Sequence, residues 1–272
     1  MSATHKSMQL GFIGLGSQGG PIARRMVDAG YPLTLWARRA ESLRPYADTP
    51  ARRTASIAEL GAACEQVGIC VVDDAGVQQV CDALIPAMRA GSRIVIHATV
   101  HPQLCVSLAA QAARRDIALI DAPVSGGGAG AAAGTLTVMV GGERAAVEAA
   151  WPVFETFAGR IVHLGGVGAG QSAKLVNNTL MAAHFAIAHH ALVAGEQLGI
   201  DRKALAELVG VSSGRSFGFD VYARQPSLAA FAHGAKLLAK DVRLLGEALG
   251  DDASYAALRE VATPVLERAA KT

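Results

Sequence analysis

Between Gly168 and Asn178 the chain reads Gly-Ala-Gly-Gln-Ser-Ala-Lys-Leu-Val-Asn-Asn, at the opening of a long apolar stretch. Lys174 and Asn178 stand four residues apart, so on a helix they share one face and can both point at one small molecule. The apolar neighbours Ala173, Leu175 and Val176 set Lys174 apart from an ordinary solvated lysine, and Gly165 to Gly170 allow backbone close to a ligand. Burial lowers the pKa of an amine, and a neutral amine takes a hydroxyl proton near neutral pH. The chemistry expected of this pair is acid/base work on a hydroxyl or carbonyl group.

A second constellation opens the chain. Gly14-x-Gly16-x-x-Gly19 follows the apolar run Leu10 to Ile13 and precedes a helical pattern. In that context the three glycines serve different ends. The first permits a tight turn, the second lets backbone N–H groups approach a pyrophosphate, and the third lets helix and strand pack closely. The helix N-terminus then faces the anion. The expected ligand is a nicotinamide dinucleotide, whose oxidised ring is positive and would lower the pKa of Lys174 further. The second strand, Leu33 to Trp36, ends where an acidic residue would bind the adenosine ribose of NAD, but Arg38 and Arg39 follow it instead. Their planar guanidinium groups suit a 2′-phosphate, which favours NADP, although an ordinary solvated arginine pair is the plainer alternative. Asp73 and Asp74, at the end of a strand expected over Ile69 to Val72, would oppose extra phosphate charge if they face the same crevice.

A third segment, Asp121-Ala-Pro-Val-Ser-Gly-Gly-Gly128, follows a strand and is expected to expose several N–H groups in a row. That arrangement suits a carboxylate, and Ser125 adds a hydroxyl. A flexible crossover loop is the bland alternative. Thr99 falls on the carboxyl edge of the sheet, where ligands bind in open α/β folds.

These residues must be positioned by two differently built halves. From Leu10 to Leu164, short apolar runs at Leu10–Ile13, Leu33–Trp36, Ile69–Val72, Ile94–His97, Ala118–Asp121, Leu136–Val140 and Ile161–Leu164 alternate with helical patterns. The clearest of these are Gly20–Ala29, Val77–Met88, Pro102–Arg115 and Arg144–Phe157. This predicts an α/β fold, a Rossmann-like parallel-sheet domain over residues 1–165. An all-α domain is expected over 166–272, with breaks near Gly199–Asp201, Val211–Pro226 and Gly250–Asp252. Leu228, Phe231, Ala235, Leu238, Val242, Leu245 and Leu249 make an apolar stripe on one of its helices.

Composition narrows the function. Of 272 residues 51% are hydrophobic, and the net charge is +2 without a long basic cluster, so nucleic acid is not an expected partner. Cys64, Cys70, Cys81 and Cys105 form no C-x-x-C pair and read as reduced apolar residues. The start lacks a signal-peptide pattern, and Leu175–Leu198 is interrupted by Asn177, Asn178, His184, His189, His190 and Glu196. A buried helix, not a membrane span, and a cytoplasmic location are expected. No metal is expected, because His184, His189 and His190 lack the i, i+4 spacing and His97 and His101 straddle a strand end. The apolar helices Leu175–Leu198 and Ser227–Leu249 suggest a homodimer or homotetramer.

In order and spacing these motifs resemble the β-hydroxyacid dehydrogenase family, typified by 3-hydroxyisobutyrate dehydrogenase and tartronate semialdehyde reductase, over nearly the whole chain. Gly11 to Gly19 is similar to its coenzyme motif, Asp121 to Gly128 to its substrate motif, Gly168 to Asn178 to its catalytic motif and Lys240-Asp241 to its later lysine–aspartate pair. The resemblance implies coenzyme contacts from Gly14, Leu15, Gly16, Ser17, Gln18 and Gly19. It implies Thr99 on the nicotinamide ribose and Lys240 near the nicotinamide, although helical spacing alone would leave Lys240 solvated beside Lys236, Arg243 and Glu247. It also implies a substrate carboxylate on Ser125, Gly126 and Gly127, Asn178 steadying the reacting group, and proton exchange through Lys174.

The chain departs from the family pattern in places. Asp73-Asp74 replaces a usual leucine–proline pair, His97-Ala98-Thr99 replaces an acidic–serine lead-in, and His233 takes a usual aromatic slot. Relatives usually continue past the position of Thr272, which implies a shortened last helix. The expected activity is an NADP-preferring interconversion of a small β-hydroxy acid, a serine-like one included, with its semialdehyde or keto acid. An imine reductase of the same plan, which carries a different residue at the lysine position, and a non-catalytic coenzyme-binding protein are the alternatives.

Overall fold

The computed structural model describes residues 7–250 and 252–271. The chain forms two compact units, residues 1–174 and 175–272. The first is built on one sheet of β1 (Leu10–Ile13), β2 (Leu33–Trp36), β3 (Arg52–Arg53), β4 (Gln66–Ile69), β5 (Arg93–Ile96), β6 (Ala118–Asp121), β7 (Val124–Ser125), β8 (Leu136–Gly141) and β9 (Ala158–Gly165). Its order is β3-β2-β1-β4-β5-β6-β8-β7, with β9 on β8. The first six strands pair in parallel, whereas β8 runs antiparallel to β6 and β7.

Both faces of this sheet are covered, so successive side chains of one strand enter different cores. Leu10, Phe12, Leu33, Leu35, Val95 and Ile120 enter one core, with Ile22, Phe154 and Phe157. Ile13, Val67, Ile69, Ile94, Ile96 and Leu119 enter the other, with Leu60, Leu84 and Leu108. The helices of this unit are α1 (Gly19–Asp28), α2 (Ile57–Ala63), α3 (Asp74–Leu84), α4 (Pro102–Ala113), α5 (Gly127–Ala133) and α6 (Arg144–Phe154). Strand order reverses at β1, which has β2 on one side and β4 on the other. The crevice at such a reversal is where ligands reach an open α/β sheet.

α7 (Ala169–Gln197) starts in the first unit and runs on into the second. The second unit adds α8 (Arg202–Gly210), α9 (Phe217–Ala223), α10 (Ala232–Leu249) and α11 (Ala253–Lys271). Leu175, Ala182, Leu238, Val242, Leu245 and Leu266 share one core. Phe185 stacks on Phe231 with centroids 4.4 Å apart and meets Tyr222 edge-on. A Cβ on Gly218 would lie 2.6 Å from His184 Cβ, so the start of α9 crosses α7 closely.

Several expectations need correction. β4 is not Ile69–Val72 but three residues earlier, because Gln66 is polar yet buried, accepting from Arg93 Nε at 3.2 Å. Val72, counted into that run as apolar, is 73% exposed beyond the strand. α3 starts at Asp74, not Val77, because Asp73 caps it, accepting from Gly76 N. The segment after Ser125 is a helix, α5, not a loop, and α9 lies within the expected break Val211–Pro226. The apolar stripe of α10 ends early, for Leu249 is exposed. α7 is buried on one side only: Val176, Leu180 and Ile187 are exposed. Among the described residues no helix is long and apolar enough to cross a membrane. The four cysteines are free thiols, three of them buried and Cys70 half-buried.

Candidate active site

The glycine turn sits at the strand-order reversal. Gly14 has φ 96°, a left-handed conformation, and a Cβ there would lie 2.3 Å from the carbonyl oxygen of Cys70. Cys70 N in turn donates to Ile13 O at 2.8 Å, closing the end of β4 onto β1. A Cβ on Gly19 would lie 2.0 Å from Gly14 O, so α1 can pack on the turn only with glycine there. Gly16 is different: it is exposed with nothing within 4 Å of where a Cβ would be. Gln18 at the N-cap of α1 makes no side-chain cap, and the first turn holds no acid. Gly20 N donates to Gly16 O at 2.9 Å, and the helix start, with no side chain over it, presents its positive end to an anion, which fits a dinucleotide pyrophosphate. Leu15 is half-buried and Ser17 exposed in the same turn.

The third segment lies against this turn. A Cβ on Gly128 would be 2.5 Å from Ser17 O, so the glycine turn and the start of α5 touch through glycine. Ser125 ends β7, paired with Thr137 of β8, and is half-buried. Gly126 (φ 128°) and Gly127 (φ 64°) turn the chain from that strand into α5, and both are exposed. Two motifs more than a hundred positions apart are thus neighbours.

Arg38 and Arg39 follow β2 and are exposed, Arg39 3.9 Å from Glu41 in a loose surface pair. Beside them lies an edge that sequence reasoning missed. Arg52 and Arg53 form β3 and pair with Thr34 and Leu35 of β2. Asp73 and Asp74 do not simply end a strand: Asp73 caps α3, and Asp74 Oδ2 accepts from His101 N at 3.0 Å.

Thr99 lies just past β5, half-buried, and its neighbours are held by one side chain. Gln171 Nε2 donates to Ala98 O at 2.8 Å, and Gln171 Oε1 accepts from Val100 N at 3.1 Å. Gln171 lies in the first turn of α7, three residues before Lys174. Asp121, the last residue of β6, caps the same turn: Oδ1 accepts from Gly168 N at 2.7 Å and Oδ2 from Gln171 N at 2.8 Å. Asp121 and Gln171 are fully buried and Lys174 is 8% exposed. Burial pushes the Asp121 carboxyl up to about 6, with the backbone N–H bonds pulling the other way.

His97, the residue after β5, stacks on Phe12 at 5.9 Å and meets Phe154 and Phe157 edge-on, with Nδ1 2.9 Å from Ala122 O. Burial pushes its pKa down from 6.5 to about 4, so it is a neutral core residue at neutral pH. The unfolded chain then binds this proton first, and stability is lost as pH falls from about 6.5 towards 4, by roughly 3 kcal/mol. Asp121 acts in the opposite sense over much of that window, because its folded pKa lies above its unfolded one. Comparison with His97→Leu separates the two. The wild-type advantage in urea unfolding should shrink steadily from about pH 7 to about pH 4.5; a constant gap would refute the assignment.

In the second unit, Asn178 Nδ2 donates to Asp241 Oδ2 at 2.6 Å, and its Oδ1 accepts from Asn177. Lys240 Nζ lies 3.1 Å from Asp241 Oδ1. The Lys240 side chain is only 20% exposed, so the solvated position implied by helical spacing is wrong. Asp241, 4% exposed, joins two expected site residues and was missed as more than a motif partner. Its acidic type on the buried side of an amphipathic helix was the available signal.

Comparisons with known proteins bear on the family of the chain. Residues 9–165 match the model for the NAD binding domain of 6-phosphogluconate dehydrogenase, and residues 168–271 match that for NAD-binding of NADP-dependent 3-hydroxyisobutyrate dehydrogenase. The NAD-dependent L-serine dehydrogenase of Pseudomonas aeruginosa is 37% identical over 265 residues, covering 90% of this chain and 87% of that protein. The L-threonate dehydrogenase of Cupriavidus necator is 34% identical over 218 residues, covering 79% and 73%. The solved structure of Mycobacterium tuberculosis 3-hydroxyisobutyrate dehydrogenase with L-serine superposes with a TM-score of 0.81 at 27% identity, covering 97% and 92%. With the two models together matching nearly the whole chain and relatives of this similarity, the chain belongs to the β-hydroxyacid dehydrogenase family of NAD(P)-dependent oxidoreductases.

Proposed function

We propose that this dehydrogenase, with NADP as its preferred coenzyme, interconverts a small β-hydroxy acid and its semialdehyde or keto acid, with Lys174 as the general acid/base. The observation that carries the reading is a buried lysine three residues beyond a helix turn locked to the carboxyl edge of the sheet. In the oxidising direction Lys174 takes the hydroxyl proton, and in the reducing direction it returns it to the carbonyl oxygen. A nicotinamide coenzyme held at the glycine turn would supply the hydride acceptor or donor. Ser125, Gly126 and Gly127 receive the substrate carboxylate, Asn178 steadies the reacting group from a position fixed by Asp241, and Lys240 serves the nicotinamide region. Thr99 meets the nicotinamide ribose.

The relatives act, by their names, on L-serine, L-threonate and 3-hydroxyisobutyrate. Each is a small hydroxy acid, so these three form the first panel. The test follows nicotinamide absorbance with each acid against NADP and NAD. Turnover of one acid is the expected result, and silence across the panel with intact coenzyme binding would discard the substrate class.

The NADP preference rests on Arg38 and Arg39 beside an arginine-bearing edge strand, and it is tested separately because the Pseudomonas relative is named for NAD. Loss of a charge-assisted contact to the 2′-phosphate is worth about 1.5–3 kcal/mol, or tenfold and more in affinity. Arg38→Ala is therefore expected to raise the KM for NADP at least about tenfold and leave that for NAD unchanged. Equal effects on both coenzymes, or wild-type preference for NAD, would remove the NADP assignment.

A further inference from the structure

We infer that Asp121 and Gln171 are positioning residues of the reaction, which lock the first turn of α7, and through it Lys174, to the strand ends that carry Thr99. This rests on the reading that Lys174 transfers the proton. Asp121 lies at the carboxyl end of β6 and Thr99 just past β5, the neighbouring strand. Both oxygens of the Asp121 carboxylate accept backbone N–H groups from the turn that opens α7. Gln171, in that same turn, reaches back to both peptide units around Thr99. One helix turn is therefore held at four points, two through each side chain, and both side chains are fully buried.

The space around the carboxylate is closed as well. A Cβ on Gly141 would lie 2.5 Å from Asp121 Oδ1, and one on Gly170 would lie 2.4 Å from Met139 O and 2.9 Å from Asp121 O. The helix start therefore has one seat.

Ordinary capping does not explain this choice of residues. Serine, threonine or asparagine at an N-cap satisfies helix N–H groups without burying a charge, as Ser56 and Ser216 do for α2 and α9. A fully buried carboxylate is a costly cap, since desolvation opposes its ionised form. What it adds is direction and stiffness: charge-assisted bonds from two oxygens resist both tilt and rotation of the turn. Lys174 follows Gln171 by three residues and lies on the same side of the helix, so rotation at the base moves the amine directly. Reaction geometry is sensitive to displacements of about 1 Å.

The experiment compares Asp121→Asn and Gln171→Met with Lys174→Met and with the double variant Asp121→Asn/Lys174→Met, using NADP or NAD and the acid the panel identifies. Asn keeps the shape but turns an amide donor towards a backbone N–H; Met keeps the bulk of Gln171 without its two bonds. Asp121→Asn and Gln171→Met should each lower kcat about ten- to a hundredfold, with the substrate KM and the coenzyme Kd within about twofold. In the Lys174→Met background Asp121→Asn should cost nothing more, because the group it positions is already gone.

Wild-type kcat in both variants while Lys174→Met is inactive would overturn the positioning role and leave the lysine reading intact. Activity in Lys174→Met would instead overturn the lysine reading. Full additivity in the double variant would assign Asp121 a structural role. If Asp121→Asn loses its cooperative melt, Gln171→Met decides alone, and failure of both to fold would assign the pair to the fold and refute the inference.

Discussion

Lys174→Met, which keeps the buried stem and removes the amine, is expected to lower kcat about a thousandfold in both reaction directions. A positioned acid/base group contributes roughly 10²–10⁴ in rate, and the lysine lies in a closed part of the fold where water is poorly placed to substitute. Coenzyme affinity should stay within about twofold, because the residues expected to bind the pyrophosphate belong to the turn between β1 and α1 and not to α7. Lys174→Arg distinguishes proton transfer from simple charge. Arginine keeps the positive charge but does not release its proton, so it should be nearly as inactive as methionine. An active Lys174→Arg enzyme would mean that the cation alone is needed, and an active Lys174→Met enzyme would remove the residue from the chemistry. Partial recovery of the methionine variant with added small primary amines is the positive sign of a lost acid/base.

The first unit was legible where a strand and its flanks repeat a strong local pattern. β1, β2 and β6 are mostly apolar on both faces because both faces of the sheet are covered, and the expected bounds agree with the observed ones. Legibility failed where polar residues are buried or apolar ones are not. Gln66 belongs to β4, and Val72 lies in solvent beyond it, so the apolar run misplaced the strand by three residues.

The two-residue strands β3 and β7 are too short for any period to appear. α5 was hidden by composition, since Gly-Gly-Ala-Gly is a poor helix by propensity and is held by its neighbours. α2 could have been found. Ser56 accepts from Glu59 N and Glu59 reaches back to Ala55 N, which is close to the Ser-x-x-Glu pattern of a capped helix start. The links among the candidate site residues were the least visible part. Asp121–Gly168, Gln171–Ala98 and Asn178–Asp241 join positions 47, 73 and 63 residues apart, and no local pattern encodes such pairs.

The glycine turn allows a sharper test than loss of binding alone, because two of its glycines are needed for different physical reasons. At Gly14, φ is 96° and a Cβ would lie 2.3 Å from Cys70 O and 2.5 Å from Cys70 C. Those are backbone atoms, held by the bond from Cys70 N to Ile13 O, and they cannot swing aside as a side chain could. Gly14→Ala therefore combines a strained backbone conformation with overpacking and should cost about 3 kcal/mol or more in stability, along with coenzyme binding. At Gly16 a Cβ meets nothing within 4 Å, so Gly16→Ala should melt within a degree or two of wild type. Yet a methyl group there stands where a pyrophosphate must approach the backbone, and coenzyme affinity should fall at least about tenfold. Thermal melting and coenzyme titration on the two variants separate the roles. Normal coenzyme affinity in Gly16→Ala would mean that the turn does not carry the pyrophosphate, whatever Gly14→Ala does. A wild-type melting temperature in Gly14→Ala would mean that β1 and β4 end less tightly than the bond between Cys70 and Ile13 requires.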